Sequence, residues 1–270
     1  MATMGNGIIF RRALRDSRTG ILGWGLMLGF FGFLVIALFP SLEGILEQFG
    51  PLLENPVIKP LVGDVEQFAT LEGFLGLKLF SMLPLFLAVY AVMFALGIVA
   101  GEEERGTLDI LLSTPATRWQ LVLEKYAALV VALVAILGLM LVGMLIGSTF
   151  TPDFPLTLGQ MVAAQVNVLP ITLLMASLTL LLSTVLRSRN TAGAIAAAII
   201  FSSYFVVTLA EMAGGAIEKI KYLSFYQYYN GATVFIEGIY WPGFVGLLAG
   251  AVVLLVAAMI FFQRRDLLSR

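Results

Sequence analysis

The sequence predicts an all-α integral membrane protein with six transmembrane helices, on three observations. The 270 residues are 60% hydrophobic and 12% charged, with mean hydropathy +0.97, whereas soluble globular chains carry roughly 25% charge. Six uncharged runs reach 21 residues or more, and a helix needs about 20 apolar residues to cross the hydrocarbon of a bilayer. The basic residues between those runs fall into two alternating groups, twelve against four.

The runs are Thr19 to Leu42, Leu79 to Gly101, Tyr126 to Pro152, Phe154 to Leu186, Asn190 to Ala210 and Gly238 to Gln263. They place spans at about 19–42, 79–101, 126–150, 160–186, 190–210 and 243–263, in a single transmembrane domain filling 1–270. No connecting segment is long enough for an independent soluble domain of ordinary size. The chain has no histidine and no cysteine, which excludes Ser-His and Cys-His catalysis, thiolate sites and imidazole metal sites. No catalytic, cofactor-binding or metal residue is therefore assigned. A net charge of −1 argues against nucleic acid as a partner.

Ahead of the first span, Ile9, Phe10, Ala13 and Leu14 share one helical face and Arg11, Arg15 and Arg18 another. That pattern predicts an interfacial amphipathic helix over about 6–18, lying flat on the cytoplasmic leaflet. The run behind it lacks a small-residue cleavage site and reads as a retained span, not a removable signal peptide. Twelve basic residues, including Arg11, Arg12, Arg15, Arg118, Lys125, Arg187 and Arg189, lie on the side of the termini, against Lys59, Lys78, Lys219 and Lys221 on the other. By the positive-inside rule both termini are cytoplasmic, in a cell inner (plasma) membrane.

Between the first two spans, Leu42, Ile45, Leu46 and Phe49 keep helical spacing, as do Val65, Phe68, Leu71 and Phe74, with Pro51, Pro56 and Pro60 as breakers. A short external helical cap is expected. The fourth run, 33 residues long, exceeds the bilayer, so part of Phe154 to Gly159 lies outside it. Its polar positions Gln160, Gln165, Asn167, Thr172, Ser177, Thr179 and Ser183 suit interhelical bonding, or alternatively a lined path. Pro84 and Pro170 can kink their helices. In the fifth run Gly193, Ala194, Ala197 and Ala198 permit close helix approach, either at an oligomer boundary or pathway or within one subunit. Beyond it, Tyr222, Phe225, Tyr226, Tyr228, Tyr229, Tyr240 and Trp241 form an aromatic belt at the membrane interface, with a gate or a partly re-entrant segment as the alternative.

The stretch Gly101 to Lys125 holds a helix at about 102–115, broken by Pro115, and a restart at Thr117 with Gln120 placed for a capping box. Its Glu102, Glu103, Glu104, Arg105, Gly106, Thr107, Leu108, Leu111, Leu112, Ser113, Thr114 and Pro115, with Arg118 and Lys125, resemble the permease subunits of the ABC-2 family of ABC transporters. There a second span ends in acidic residues followed by Gly-Thr-Leu and Leu-Leu-Ser-Thr-Pro. The resemblance extends over the whole chain as six spans, a basic N-terminal helix and the closing Phe262 to Leu267, and is nearest to export systems for drugs, peptides or ions.

The resemblance implies an ABC-2 exporter-like fold, with residues Glu102 to Pro115 as a cytoplasmic coupling helix that docks a separate nucleotide-binding ATPase subunit. ATP and Mg would belong to that partner, since this chain has no G-x-x-x-x-G-K-[ST] sequence. Arg11, Arg12, Arg15, Arg187 and Arg189 would be further cytoplasmic contacts. A second permease copy, or a related permease, would complete a dimer in membrane lipid, the substrate passing between copies along spans one, two and five. The rival reading is a secondary transporter or channel, which ordinarily carries intramembrane charge or an inverted repeat; none of the six runs contains a charge.

Overall fold

The computed structural model describes residues 7–53, 70–104, 117–151, 154–186, 188–213 and 217–264, with the side chains of 42–53, 103–104, 211 and 217 outside that description. All regular structure among them is helical. In chain order the helices are α1 (Ile8–Leu53), α2 (Leu71–Phe74), which runs on as π-helical turns over Leu75–Phe80, α3 (Leu83–Ile98), α4 (Ala100–Glu104), α5 (Arg118–Ser148), α6 (Leu158–Val185) and α7 (Arg189–Ala213). Two 3₁₀ turns, Ile217–Leu223 and Phe225–Tyr228, then α8 (Val234–Glu237) and α9 (Trp241–Arg264), complete it. Six helical stretches are long and apolar enough to span a membrane: Ile8–Ser41, Leu71–Ile98, Arg118–Ser148, Leu158–Val185, Arg189–Ala210 and Trp241–Arg264.

The N-terminal amphipathic segment is helical, but no break separates it from the first span. α1 runs 46 residues, about 69 Å at 1.5 Å per residue. It packs along α5 from its first turn. Phe10 meets Glu124, Gly25 meets Leu139, Gly29 meets Gly143, Gly147 meets Phe33 and Thr151 meets Ile36. The partner stays about 114 residues ahead throughout, so the two helices run parallel and in register. Glycine makes this possible. A Cβ at Gly143 would sit inside the Gly29 backbone, and one at Gly147 would lie 2.9 Å from the Phe33 carbonyl oxygen, so neither position admits a side chain without parting the helices.

Pro51 does not end α1 and the expected cap is not a separate helix there, since the helix continues to Leu53; Val65 and Phe68 lie outside the described residues. The second span starts earlier than its uncharged run, at Leu71, because Lys78 sits within the π-helical turns as an exposed side chain.

α6 occupies the centre. It is the most buried of the six spans, with α2–α3, α7 and α9 packed around it and α5 joining α1 to the bundle. Its polar residues are structural. Ser177 and Tyr126 share a hydrogen bond of 2.7 Å, Asn167 donates to Asn230 at 3.0 Å, Gln165 reaches Met144 Sδ at 3.4 Å, and Thr172, Thr179 and Ser183 donate to carbonyls of their own helix. These side chains are buried; Ser177, Gln165 and Asn167 bond to other elements of the subunit, as interhelical glue does, and the other three bond within α6.

Two prolines shape the opposite end of the bundle. A proline supplies no backbone N–H: Pro40, inside α1, leaves the Ile36 carbonyl without its helical donor, and Pro84, in the first turn of α3, cannot donate back across the Ser81–Met82 turn to the Phe80 carbonyl. Each finds a hydroxyl from far along the chain: Thr151 Oγ1 donates to Ile36 at 3.0 Å and Tyr229 Oη to Phe80 at 2.8 Å. The segment carrying Tyr229 therefore packs into the bundle. Tyr226 is buried against Ala88, Ile171, Met175, Ile200 and Leu247, whereas Tyr222, Tyr228, Tyr240 and Trp241 are exposed. The aromatic cluster thus divides into an inserted part and a belt.

Candidate functional site

The chemistry-bearing side chains gather at the end of the bundle where α1, α5 and α7 begin and α3 and α9 finish. The α5 restart has the predicted form: Thr117 is the N-cap of a capping box with Gln120, whose Oε1 accepts from the Thr117 N–H at 3.0 Å, the back-reaching bond of that motif. One residue on, Arg118 reaches the last turn of α9, where Nη1 donates to the Phe262 and Gln263 carbonyls at 3.4 and 3.3 Å and the guanidinium lies 5.9 Å from the Phe262 ring centre. A cation there also meets the negative end of the helix dipole.

Glu124 and Lys125, next along α5, each collect a different element. The Glu124 carboxylate accepts from the N–H of Gly7 at 3.3 Å and of Phe10 at 3.0 Å, capping α1 from 114 residues away. Lys125 Nζ donates to Glu102 Oε1 at 2.8 Å and to the Ile98 carbonyl at 3.3 Å. Both side chains of the ion pair are largely shielded, 11% and 18% exposed. The Ile98 carbonyl is one of the orphan acceptors at a helix end, and the break at Val99, φ −119° and ψ −66°, puts it within reach of the ammonium.

Beside this pair lies a cavity of about 200 Å³, lined by Asp16 and Ser17 of α1, Met93 and Phe94 of α3, Glu102, Lys125 and Arg189 among others. The Arg189 guanidinium comes within 4.0 Å of where a Gly101 Cβ would stand, which ties the start of α7 to the end of the second span. Arg11, Arg12 and Arg15 are exposed, Arg12 pairing loosely with Asp16 at 3.9 Å. Away from this end, Lys221 hydrogen bonds Glu218 and holds its carboxyl below the usual carboxylate range.

The structure brings Glu102, Lys125 and Arg189 together around one cavity, while Arg118 is bonded to the end of α9. The side chains of Glu103 and Glu104, and Arg105, Gly106, Thr107, Leu108, Leu111, Leu112, Thr114, Pro115 and Arg187, lie outside the described residues. On α7, Gly193 is half-buried against Leu96 and Ala197 is half-buried, whereas Ala194 and Ala198 are exposed. Sequence reading missed Glu124 as a cap and Glu102 as the partner of Lys125. It also missed the glycine seam, whose signal was present as Gly25-x-x-x-Gly29 and Gly143-x-x-x-Gly147.

Six helices long and apolar enough to cross a membrane, with charged side chains gathered at one end, are the architecture of a multi-pass membrane protein. The family model described as ABC-2 family transporter protein matches residues 8–267, nearly the whole chain, and the chain belongs to that family. It is the permease component of an ABC transporter, and members of that family are transmembrane components that are in general not themselves catalytic and in general associate with an ABC ATPase subunit. Among curated proteins no relative matches the chain.

Proposed function

We propose that this permease is the membrane half of an exporter whose separate nucleotide-binding subunits dock on residues 102–115. The observation that carries the reading is the Lys125–Glu102 pair, which fixes the first residues of that stretch to the helix on which it ends. A segment held at both ends on neighbouring spans passes a push from outside the membrane directly into the bundle. Arg11, Arg12 and Arg15 are exposed at the same end and suit contact with an acidic motor surface or anionic headgroups. ATP and Mg act in the partner, a second permease copy completes the assembly, and cargo moves outward between the copies.

The basic end is assigned to the cytoplasm of a cell inner (plasma) membrane, with both termini there, because twelve of the sixteen basic residues fall on that side. The test is isolation of the tagged full chain together with the ATPase it is expressed beside, and vesicle assays of that complex. A stoichiometric ATPase and ATP-dependent outward movement are expected. Isolation of a permease that never retains an ATPase, yet moves solute down an ion gradient, would replace this reading with a secondary transporter. Single cysteines at Ser17, Ser188, Thr151 and the exposed Leu223 check the orientation: the first two label from the cytoplasm and the last two from outside.

A further inference from the structure

We propose that Lys125 is the positioning residue that makes the motor-facing segment move as one body with the first three spans, an inference that rests on the coupling role given above to residues 102–115. Adjacent residues on a helix point about 100° apart, and α5 uses that divergence. Glu124 faces α1 and caps its first turn, while Lys125 faces the end of the second span.

The chain leaves helical geometry at Val99, so α3 and α4 meet at a bend, and one short-range backbone bond, Glu102 N–H to the Val99 carbonyl at 3.1 Å, closes it. Lys125 bridges that bend from outside, with the Ile98 carbonyl on one side and the Glu102 carboxylate on the other. A single ammonium thereby sets the angle between the span and the segment that follows it. Both side chains of the pair are shielded, so removing the ammonium leaves a carboxylate and a helix-end carbonyl that water only partly satisfies. Neutral glutamine at 125 loses the charge and shortens the reach; arginine keeps the charge and the donors.

The experiment uses the full chain in complex with its ATPase in lipid nanodiscs, scored only on particles isolated with both subunits. The chain has no native cysteine, so spin labels go on cysteine pairs at Glu104 with Leu123, reporting the bend, and at Met93 with Ile195, reporting motion delivered to the bundle. The unsubstituted complex gives a narrow 104–123 distance that is the same without nucleotide and with trapped ATP, and a 93–195 distance that shifts between the two states. Lys125→Gln broadens the first distribution and loses the shift in the second; Lys125→Arg restores both. A Lys125→Gln complex that keeps the narrow 104–123 distance overturns the proposal, whether or not the 93–195 pair responds to nucleotide. If Lys125→Gln does not assemble, Glu102→Gln carries the same test, and an unchanged 104–123 width there overturns it equally. Failure of the unsubstituted chain to retain an ATPase removes the coupling reading itself, a separate result.

Discussion

The α1–α5 seam and the α7 stripe are both built from small residues, and they use them differently. At the seam the nearest neighbour of Gly29, Gly143 and Gly147 is backbone, while Gly25 meets the Leu139 side chain: a Cβ at Gly29 would lie 2.8 Å from the Leu139 carbonyl oxygen, and one at Gly143 would overlap Gly29 itself. On α7 the added atom at Gly193 would meet only Leu96 Cδ1, at 2.9 Å, the mobile end of a side chain. Ala192 and Ala196 are fully buried against the bundle, while Ala194 and Ala198 face outward. Small residues permit an approach without saying what approaches. At the seam the partner is fixed backbone of the same subunit; on α7 half of the stripe is left uncovered by the described residues.

The sharpest way to break the contrast is Gly143→Leu, which must separate α1 from α5. Overpacking of this kind costs about 1–3 kcal/mol and occasionally more, and here the neighbour is backbone, so the upper end or beyond is expected as a loss of folded protein in thermal unfolding in detergent. Ala196→Leu, pressed into a buried position, is expected to cost about 1–3 kcal/mol in the same assay, whereas Ala198→Leu leaves the isolated subunit unchanged. Equal destabilisation by the two would show that α7 has no outward half.

Cysteine at Ala194 or Ala198 addresses what covers that outward half. In the assembled transporter at least one is expected to crosslink to its counterpart in a second copy, with a yield that changes on trapping ATP. Absence of any intersubunit product from a complete complex would leave these alanines to lipid. The smallest effect belongs to Gly193→Ala, because the Leu96 tip can turn aside: a change within about 0.5 kcal/mol, against a clear loss for Gly147→Ala.

The six spans were legible because hydrophobic length is a property of the local chain. What depended on pairing was not. Lys125 and Glu102 stand 23 residues apart and Glu124 and Phe10 stand 114 apart, so no periodicity relates them, and the same acidic triplet reads equally well as a solvated helix end or a docking surface. The unbroken course of α1 was hidden for a related reason. An amphipathic pattern says which face is polar, and the long partner along which α1 packs is recognisable only when the glycines of two distant helices are read together. Tyr226 and Tyr222 are four residues apart and chemically alike, yet one is buried and the other exposed; burial here is decided by the freed Phe80 carbonyl to which their neighbour Tyr229 is drawn.

The two proline-freed carbonyls also impose an order in time. A ribosome makes Ile36 115 residues before Thr151 and Phe80 149 residues before Tyr229. At about 5–20 residues per second, those oxygens wait roughly 6–23 s and 7–30 s for their donors. During that interval the nascent first and second spans each carry a carbonyl that the finished protein satisfies only later, and hydrocarbon offers it nothing. The early helices therefore have reason to stay beside water or the insertion machinery until Thr151 and Tyr229 emerge, so that their release into lipid is timed by residues that belong to neither of them.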